Sequence, residues 1–350
     1  MERNLERRYQ TKMEAELVMT VAEIAADREK NNRQRWNAAR RQGIGGSDAA
    51  AVLGLSPWRK PYALWQEKRG EVEPEDISQK EPVLWGTKLE PIIAGEWAAR
   101  TGKKVISRGL FRDKKYPYML ANIDRQVVGE DAILEIKTTN RFNVEAWGKE
   151  AEDTEDGNVP PYYYCQCMHY LAVTGAARCY LACLIGGQHL VLRHIDRDED
   201  EIAAIRKAEG DFWELVKSGK EPELDGSDST AEAIRRKYGE GEPGTSIPLD
   251  SEAQQALVRL AQLKEKIREI EEEKRKIETG VQAQLGANET GVCANGIVCT
   301  WKAPKPSVTL DTKAMKKERP KLYEAIFAQY GKERKSTRRF TVKYPSADEE

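Results

Sequence analysis

Residues 121–139 read ANIDRQVVGEDAILEIKTT, and the reading of this stretch decides the fold. Two short apolar segments flank Val128-Gly129-Glu130-Asp131, a pattern that predicts a β-hairpin with those four residues as its turn. The first segment carries Asp124. The second, Ile133-Leu134-Glu135-Ile136-Lys137, carries a carboxylate and an ammonium. Side chains alternate faces along a strand, so Glu135 and Lys137 point the same way and Asp124 on the neighbouring strand can face them. Two hard oxygen ligands and a cation converging on one point suit Mg²⁺ and a phosphate. A charged pair inside an apolar strand is costly unless something balances it. The hairpin alone is equally compatible with an exposed Asp124 and a surface Glu135–Lys137 pair on an edge strand.

Outward from the hairpin, residues 104–112, 118–128 and 132–138 alternate as three strands of a meander. Before them, residues 84–102 predict a helix with Leu89, Ile92, Ile93 and Trp97 on its apolar stripe, and Glu90 lies beside that stripe. A carboxylate so placed is either a surface residue or a third acid reaching inward. After Pro160-Pro161, residues 162–175 predict a buried helix ending at Gly175. Tyr163 and Gln166 lie one turn apart on it, and a glutamine amid apolar neighbours needs a hydrogen-bonding partner. Residues 178–195 read as one or two further strands, and 197–217 as an amphipathic helix. The arrangement is that of an α/β or α+β domain ending near residue 220.

Residues 1–40 read as helix, with Leu17, Val18, Val21 and Ile24 at mixed helical spacing, followed by a basic run through Arg40 and Arg41. Gly43, Gly45 and Gly46 then predict a flexible turn, with Ser47 capping a helix that begins at Asp48. Glycine amides, a hydroxyl and a helix N-terminus form an anion cradle, to which Arg40 or Arg41 adds a fork. Many helices open with Gly-Ser for purely structural reasons. Residues 61–70 predict another amphipathic helix and 71–80 a charged loop.

Beyond residue 220 the composition changes. Residues 221–248 hold Pro, Gly, Asp and Ser clusters and read as a linker. In residues 249–350, Leu260, Leu263, Ile267, Ile270, Lys274, Ile277 and Val281 follow a heptad seam flanked by Glu, Lys and Arg. That seam suits another helix of this chain or of a second chain. Asn295-Gly296 predicts a hairpin turn. From Lys302 to Lys343 there are 13 Lys/Arg against 4 Asp/Glu, so this small α+β appendage offers a solvated basic face or a surface for DNA or a partner.

Composition bounds the function. The chain has 350 residues, 33% of them charged, and a mean hydropathy of -0.71. No apolar run reaches the roughly 20 residues needed to span a membrane, and the charged N-terminus lacks an apolar signal core; a cytoplasmic protein is expected. Net charge is only -1, so any attraction for nucleic acid must come from local patches. Cys165-x-Cys167 and Cys179-x3-Cys183 lack CxxC pairs and sit in apolar helix and strand patterns, so reduced, buried thiols are expected rather than a metal or cluster set.

Taken together, Glu90, Asp124, Glu135-x-Lys137 and Tyr163-x-x-Gln166 resemble the PD-(D/E)XK nuclease superfamily. Within it, their order resembles the phage lambda exonuclease and YqaJ-type viral recombinase family. The family's WG-x-x-x-E stands as Trp85-Gly86 through Glu90, its LE-x-K as Leu134-Glu135-Ile136-Lys137, and its Y-x-x-Q as Tyr163 through Gln166. The PDG turn is degenerate here, as Asn122-Ile123-Asp124-Arg125. The N-terminal R-x-G…S segment matches Arg41-Gln42-Gly43…Ser47, with Arg40 the counterpart if the gap falls differently. The resemblance covers about residues 38–215 and leaves out the heptad helix and basic tail.

The resemblance implies a nuclease core with a central mixed sheet flanked by helices, in a domain spanning residues 1–220. It implies a Mg²⁺-dependent exonuclease, with Mn²⁺ a substitute, that enters at duplex DNA ends. Such an enzyme resects the 5′ strand and leaves single strand for an annealing protein in phage-type recombination, inside the bacterial host cell. Asp124, Glu135 and the Ile136 carbonyl would hold the metal, with Glu90 assisting directly or through water. Lys137 would orient the attacking water, Gln166 would position Lys137 or that water, Tyr163 would pack against the DNA or the water network, and Arg40 or Arg41 with Ser47 would hold the 5′-phosphate. Ring-shaped homo-oligomers are the analogy for assembly. A related endonuclease, an iron–sulfur nuclease, a non-catalytic DNA-end-binding protein and a structural protein assembled by its heptad helix remain alternatives; the cysteine spacing argues against the iron–sulfur case.

Overall fold

A computed structural model describes residues 15–29, 34–148, 157–239, 241–305, 307–332, 339–342 and 344. It divides into two compact units, residues 1–238 and 239–350.

The first unit runs β1 (Ala15–Met19), α1 (Val21–Glu29), α2 (Gln34–Arg41), β2 (Ile44–Gly45), α3 (Gly46–Val52), α4 (Pro61–Arg69) and α5 (Glu81–Thr101). Then come β3 (Val105–Ser107), β4 (Leu110–Asp113), β5 (Met119–Asn122), β6 (Arg125–Val127) and β7 (Ala132–Thr139), and a 3₁₀ turn at Arg141–Trp147. It closes with α6 (Pro161–Thr174), β8 (Arg178–Ile185), β9 (His189–Asp196), α7 (Glu199–Ser218) and α8 (Asp228–Tyr238). The expected mixed α/β architecture is what is found: mixed sheets flanked by helices.

The expected three-stranded meander is really two sheets joined at a step. Strands β4 and β5 pair antiparallel, with Leu110 opposite Asn122, in a sheet ordered β1-β4-β5-β2. The same two chain segments pair again as β3 and β6, with Ser107 opposite Arg125, in a sheet ordered β3-β6-β7-β8-β9. The step falls at Arg108-Gly109 on one segment and Ile123-Asp124 on the other. Gly109 permits it: a Cβ there would lie 1.7 Å from the Met19 carbonyl oxygen.

The β6–β7 hairpin forms as expected, with Gly129 at φ 84° in its turn. Strand β7 then pairs parallel with β8 through a crossover carrying α6. Covered on both faces, β7 reads as a nearly continuous apolar run. Ile133 faces a core built with Met168 and Leu171 of α6. Leu134 and Ile136 face a second core built with Ile93 and Trp97 of α5.

Two expectations are corrected. Residues 15–19 are not helical; they form β1, pairing with β4 from Ala15–Asp113 to Met19–Leu110. Helix-forming Ala, Glu, Leu and Met are overridden because the free edge of β4 offers a ladder. Within the span read as a linker, residues 228–238 form α8, whose Thr230 and Ala233 are buried in the first unit. The polar composition concealed a helix that caps its own start with Ser227, through its hydroxyl on the Thr230 amide at 3.2 Å.

In the second unit, α9 runs Ser251–Leu285 and the expected Asn-Gly hairpin joins β10 (Thr290–Val292) to β11 (Val298–Thr300). Helices α10 (Thr312–Glu318) and α11 (Pro320–Tyr330) follow. No helix among the described residues is long and apolar enough to cross a membrane. Cys165, Cys167, Cys179 and Cys183 are buried free thiols, and burial pushes Cys165 and Cys183 up to about 12; Cys293 is exposed.

A carboxylate centre at the step between two sheets

The β6–β7 ladder ends where Arg125 opposes Leu134. Beyond it, Asp124 has turned out of register and its carboxylate replaces the lost backbone partner: Oδ2 accepts the Ile136 N–H at 2.8 Å. The step between sheets therefore aims Asp124 at β7. Glu135 and Lys137 follow Ile133 on the α6 face of that strand, as the alternation requires.

Lys137 Nζ donates to Glu135 Oε1 at 2.6 Å. Gln166 on α6 donates to the same oxygen at 2.7 Å and to the Tyr170 hydroxyl at 3.1 Å. Tyr163, one turn before Gln166, places its ring 5.0 Å from Lys137 Nζ and packs against the buried Trp147. Glu135 is 2% exposed, and its Oε2 takes no hydrogen bond among the described residues.

Burial raises both acids. Asp124 sits well above the usual carboxylate range, first because it is desolvated and then because Glu135 and Glu90 repel it. Glu135 is also raised, since desolvation outweighs the attraction of Lys137. Desolvation would lower Lys137, but Glu135 and Asp124 override it and hold its ammonium above the usual lysine value. One ammonium thus faces two buried carboxylates that cannot both ionise cheaply, so the centre must take up a proton or a further cation. A divalent cation fits that deficit: Asp124 and the orphaned Glu135 oxygen are hard ligands.

Glu90 arrives from α5, which covers the opposite face of the sheet. Its carboxylate is held by Arg125 at 2.7 Å, and Arg125 also donates to the Asp124 carbonyl at 2.6 Å. Glu90 therefore stands beside the pair but is already engaged by an arginine that sequence reading passed over.

The N-terminal segment differs from expectation in detail. The helix starts at Gly46, not Asp48, and Ser47 does not cap it. Asp48 does: its Oδ2 accepts the Gly45 N–H at 3.0 Å. The glycines serve close packing rather than flexibility, because a Cβ on Gly46 would lie 2.4 Å from the Tyr170 ring and one on Gly43 2.6 Å from the Tyr118 carbonyl.

Asp48 is fully buried and bound by three cations: Lys68 at 2.7 Å, Arg40 at 3.1 Å, and Arg59. Burial acts to raise its pKa, but Lys68, Arg40 and Arg59 together hold it well below the usual carboxylate range. Burial pulls Lys68 down to about 8 in spite of that partner. Of the two candidate arginines, Arg40 meets Ser47, donating to its hydroxyl at 3.2 Å. Arg41 points elsewhere, to Glu73 at 2.8 Å.

Sequence reading missed Lys68 and Arg59, because nothing in their spacing marks a salt-bridge partner 20 and 11 residues away. It also left His169 unassigned. That side chain is buried between Glu209 at 2.7 Å and the Leu120 carbonyl at 2.9 Å, bracing α6 against α7 and β5. The arginine cluster opens on a cleft of about 1650 Å³ in the first unit, lined in part by Arg40, Ser47, Arg59, Trp58, Thr138 and Tyr163; Asp124, Glu135 and Lys137 do not line it, and Tyr163 stands between them and that cleft.

Residues 35–177 match the YqaJ-like viral recombinase domain. Over 326 residues the chain is 38% identical to the uncharacterized protein YqaJ of Bacillus subtilis (strain 168), spanning 92% of this chain and 98% of that protein. Among solved structures it is similar to an alkaline exonuclease from Laribacter hongkongensis, with a TM-score of 0.45 and 22% identity over 53% of this chain and 93% of the other. It is also similar to a phage-related exonuclease from Haemophilus somnus 129PT, with a TM-score of 0.35 and 10% identity over 53% of this chain and 100% of the other.

Proposed function

The chain belongs to the YqaJ-like viral recombinase family, and from that premise we propose that it is a divalent-metal-dependent exonuclease that resects the 5′ strand of linear duplex DNA. One observation carries the reading: two buried carboxylates, Asp124 and Glu135, are both raised by desolvation around Lys137, with a Glu135 oxygen left without a hydrogen bond among the described residues. Such an arrangement is expensive without a cation and useful with one.

Asp124, Glu135 and the Ile136 carbonyl would hold Mg²⁺, or Mn²⁺ in its place. When bound, the metal supplies charge that polarises the phosphate and acidifies water. Lys137, fixed by Glu135 and held protonated, directs the attacking water toward phosphorus. Gln166 holds Glu135 and therefore the lysine. Tyr163 walls the lysine on its cleft side and keeps bulk water from its ammonium. Arg40 with Ser47 holds the terminal 5′-phosphate in the cleft that both line, which sets the register of successive cuts. Glu90, tied to Arg125, adds negative charge to the centre rather than a direct ligand.

The product would be a 3′ single strand for an annealing protein, in phage-type recombination within the bacterial cytoplasm. Homo-oligomerisation around the DNA fits this task by analogy with ring-forming relatives.

The test is a gel assay. Linear duplexes with 5′-phosphate or 5′-hydroxyl ends are incubated with Mg²⁺, Ca²⁺ or EDTA, beside closed circular duplex. Loss of the 5′ strand from linear DNA, only with Mg²⁺, is expected. Cutting of the closed circle at the same rate would replace the reading with an endonuclease, and no hydrolysis of any substrate would replace it with an end-binding protein.

A further inference from the structure

Helix α9 carries an apolar seam that no other described residue of the second unit covers: Ile267, Ile270 and Ile277 are 54%, 63% and 62% exposed. From its charge pattern we propose that this seam is a self-association surface, on which α9 of a second copy of the chain packs antiparallel, with Ile267 opposite Ile270 of the other copy.

The seam assigns the heptad. Leu260, Ile267, Lys274 and Val281 take one core position, and Leu263, Ile270 and Ile277 the other. The flanking positions then hold Arg259, Lys264 and Lys266 in the first half and Glu271, Glu273 and Glu278 in the second. Basic residues precede acidic ones, so the helix is complementary to its own reverse.

In the antiparallel register, Lys264 meets Glu271 and Lys266 meets Glu273, and both pairs occur twice by symmetry. No like charges oppose each other. Shifting the register by one heptad sets Lys264 against Lys264 in one direction, and Glu271 against Glu271 with Glu273 against Glu273 in the other. A parallel pair fares worse: Lys266 meets Glu271, but Arg259 meets Lys264 and Glu273 meets Glu278. Unlike flanking charges choose partner orientation, and like charges exclude the alternatives.

The core layers agree. Leu260 faces Ile277, Ile267 faces Ile270, and the small Ala256 faces Val281. The single polar entry, Lys274, falls opposite Leu263. Its ammonium already leans out of the seam toward Glu278 at 3.6 Å, so its alkyl stem covers the leucine while the charge stays wet. None of Lys264, Lys266, Glu271 and Glu273 makes an ion pair with another described residue, which leaves all four for the partner. The inference stands apart from the nuclease reading and concerns only the second unit.

Site-directed disulfide capture in the full-length chain tests it. Ile267→Cys and Ile270→Cys are made separately in a Cys293→Ser background, which removes the exposed native thiol. Both sites are exposed, so folding is not at stake, and circular dichroism verifies it. After mild oxidation the mixed proteins should give cross-linked dimer, and each alone at least five-fold less. Adding Lys264→Glu and Lys266→Glu to both chains should cut the yield at least five-fold; adding Glu271→Lys and Glu273→Lys as well should restore it. Capture of each single variant with itself as readily as the mixture would mean a parallel pair and overturn the proposal. No capture in any mixture would mean the seam is covered by something else and would equally overturn it. Indifference to the charge changes would remove the stated basis for the orientation.

Discussion

Gln166 and Lys137 hold the same oxygen: both donate to Glu135 Oε1, at 2.7 and 2.6 Å. The lysine is therefore aimed through its carboxylate, and the carboxylate through an amide on a different element. Gln166→Leu keeps the bulk and removes the donor. We expect hydrolysis to slow by roughly 10- to 100-fold, the equivalent of about 1.5–3 kcal/mol for a hydrogen bond to a charged group. DNA binding in Ca²⁺ should change little. Equal loss in binding and turnover would assign Gln166 to the DNA instead.

Asp124→Asn should abolish digestion and stabilise the metal-free protein. The folded state raises the Asp124 pKa. Its ionisation is thus favoured in the unfolded chain, and stability falls as pH rises from the ordinary carboxylate value through the folded one. The amide oxygen still accepts the Ile136 N–H but carries no charge. In EDTA the melting temperature of the variant should exceed that of wild type at neutral pH, by about 2–4 °C for each kcal/mol, and the gap should close in acid. Mg²⁺ should raise the melting temperature of wild type only. A variant less stable than wild type at neutral pH would refute the charge deficit.

Asp48 behaves in the opposite sense. Its pKa is depressed in the folded state, so its contribution is present above the ordinary carboxylate value and is lost as pH falls through the depressed one. Asp48→Ala leaves the buried Lys68 without its carboxylate, beside the part-exposed Arg40 and Arg59. The cost should be about 3–5 kcal/mol in urea titrations at neutral pH, shrinking below the ordinary carboxylate range. A neutral-pH cost under about 1 kcal/mol would mean the cluster is solvated.

Arg40→Ala should erase a preference for 5′-phosphorylated ends, a loss of roughly 10- to 100-fold on those ends alone. Arg41→Ala should not, because Arg41 is turned to Glu73 while Arg40 meets Ser47. Competition between phosphorylated and hydroxyl ends measures this directly. Retained preference in Arg40→Ala, with its loss in Arg41→Ala, would place the phosphate on the other side of α2.

Truncation after Tyr238 should leave digestion intact and flatten the salt dependence of DNA binding, since it removes the basic tail. Truncation near residue 225 should instead destabilise the first unit. It deletes α8, with Thr230 and Ala233 buried and Lys237 paired to Glu71 and Glu221. A salt slope unchanged by truncation after Tyr238 would separate the tail from DNA.

What the sequence determined by itself is what short-range periodicity encodes. Alternation fixed Glu135 and Lys137 on one face of β7, helical spacing put Tyr163 one turn from Gln166, and the apolar runs named the strands and α6. The heptad seam and the Asn295-Gly296 hairpin were legible for the same reason: each needs only neighbours within a few residues. The tertiary structure alone decided what depends on partners far along the chain. Residues 15–19 became a strand because β4 had an edge to fill. Asp124 left its ladder because Gly109 allowed a second chain segment to step with it, and that step, rather than any motif, aims the carboxylate. Asp48, read only as the first residue of the helix behind an anion cradle, drew Lys68, Arg59 and Arg40 around itself, because a buried carboxylate must be neutralised by whatever the fold brings near. Glu90 was placed beside the centre yet bound to Arg125, a choice made by packing α5 on the far face of the sheet. Sequence spacing carries direction along one element; convergence between elements is a property of the closed core.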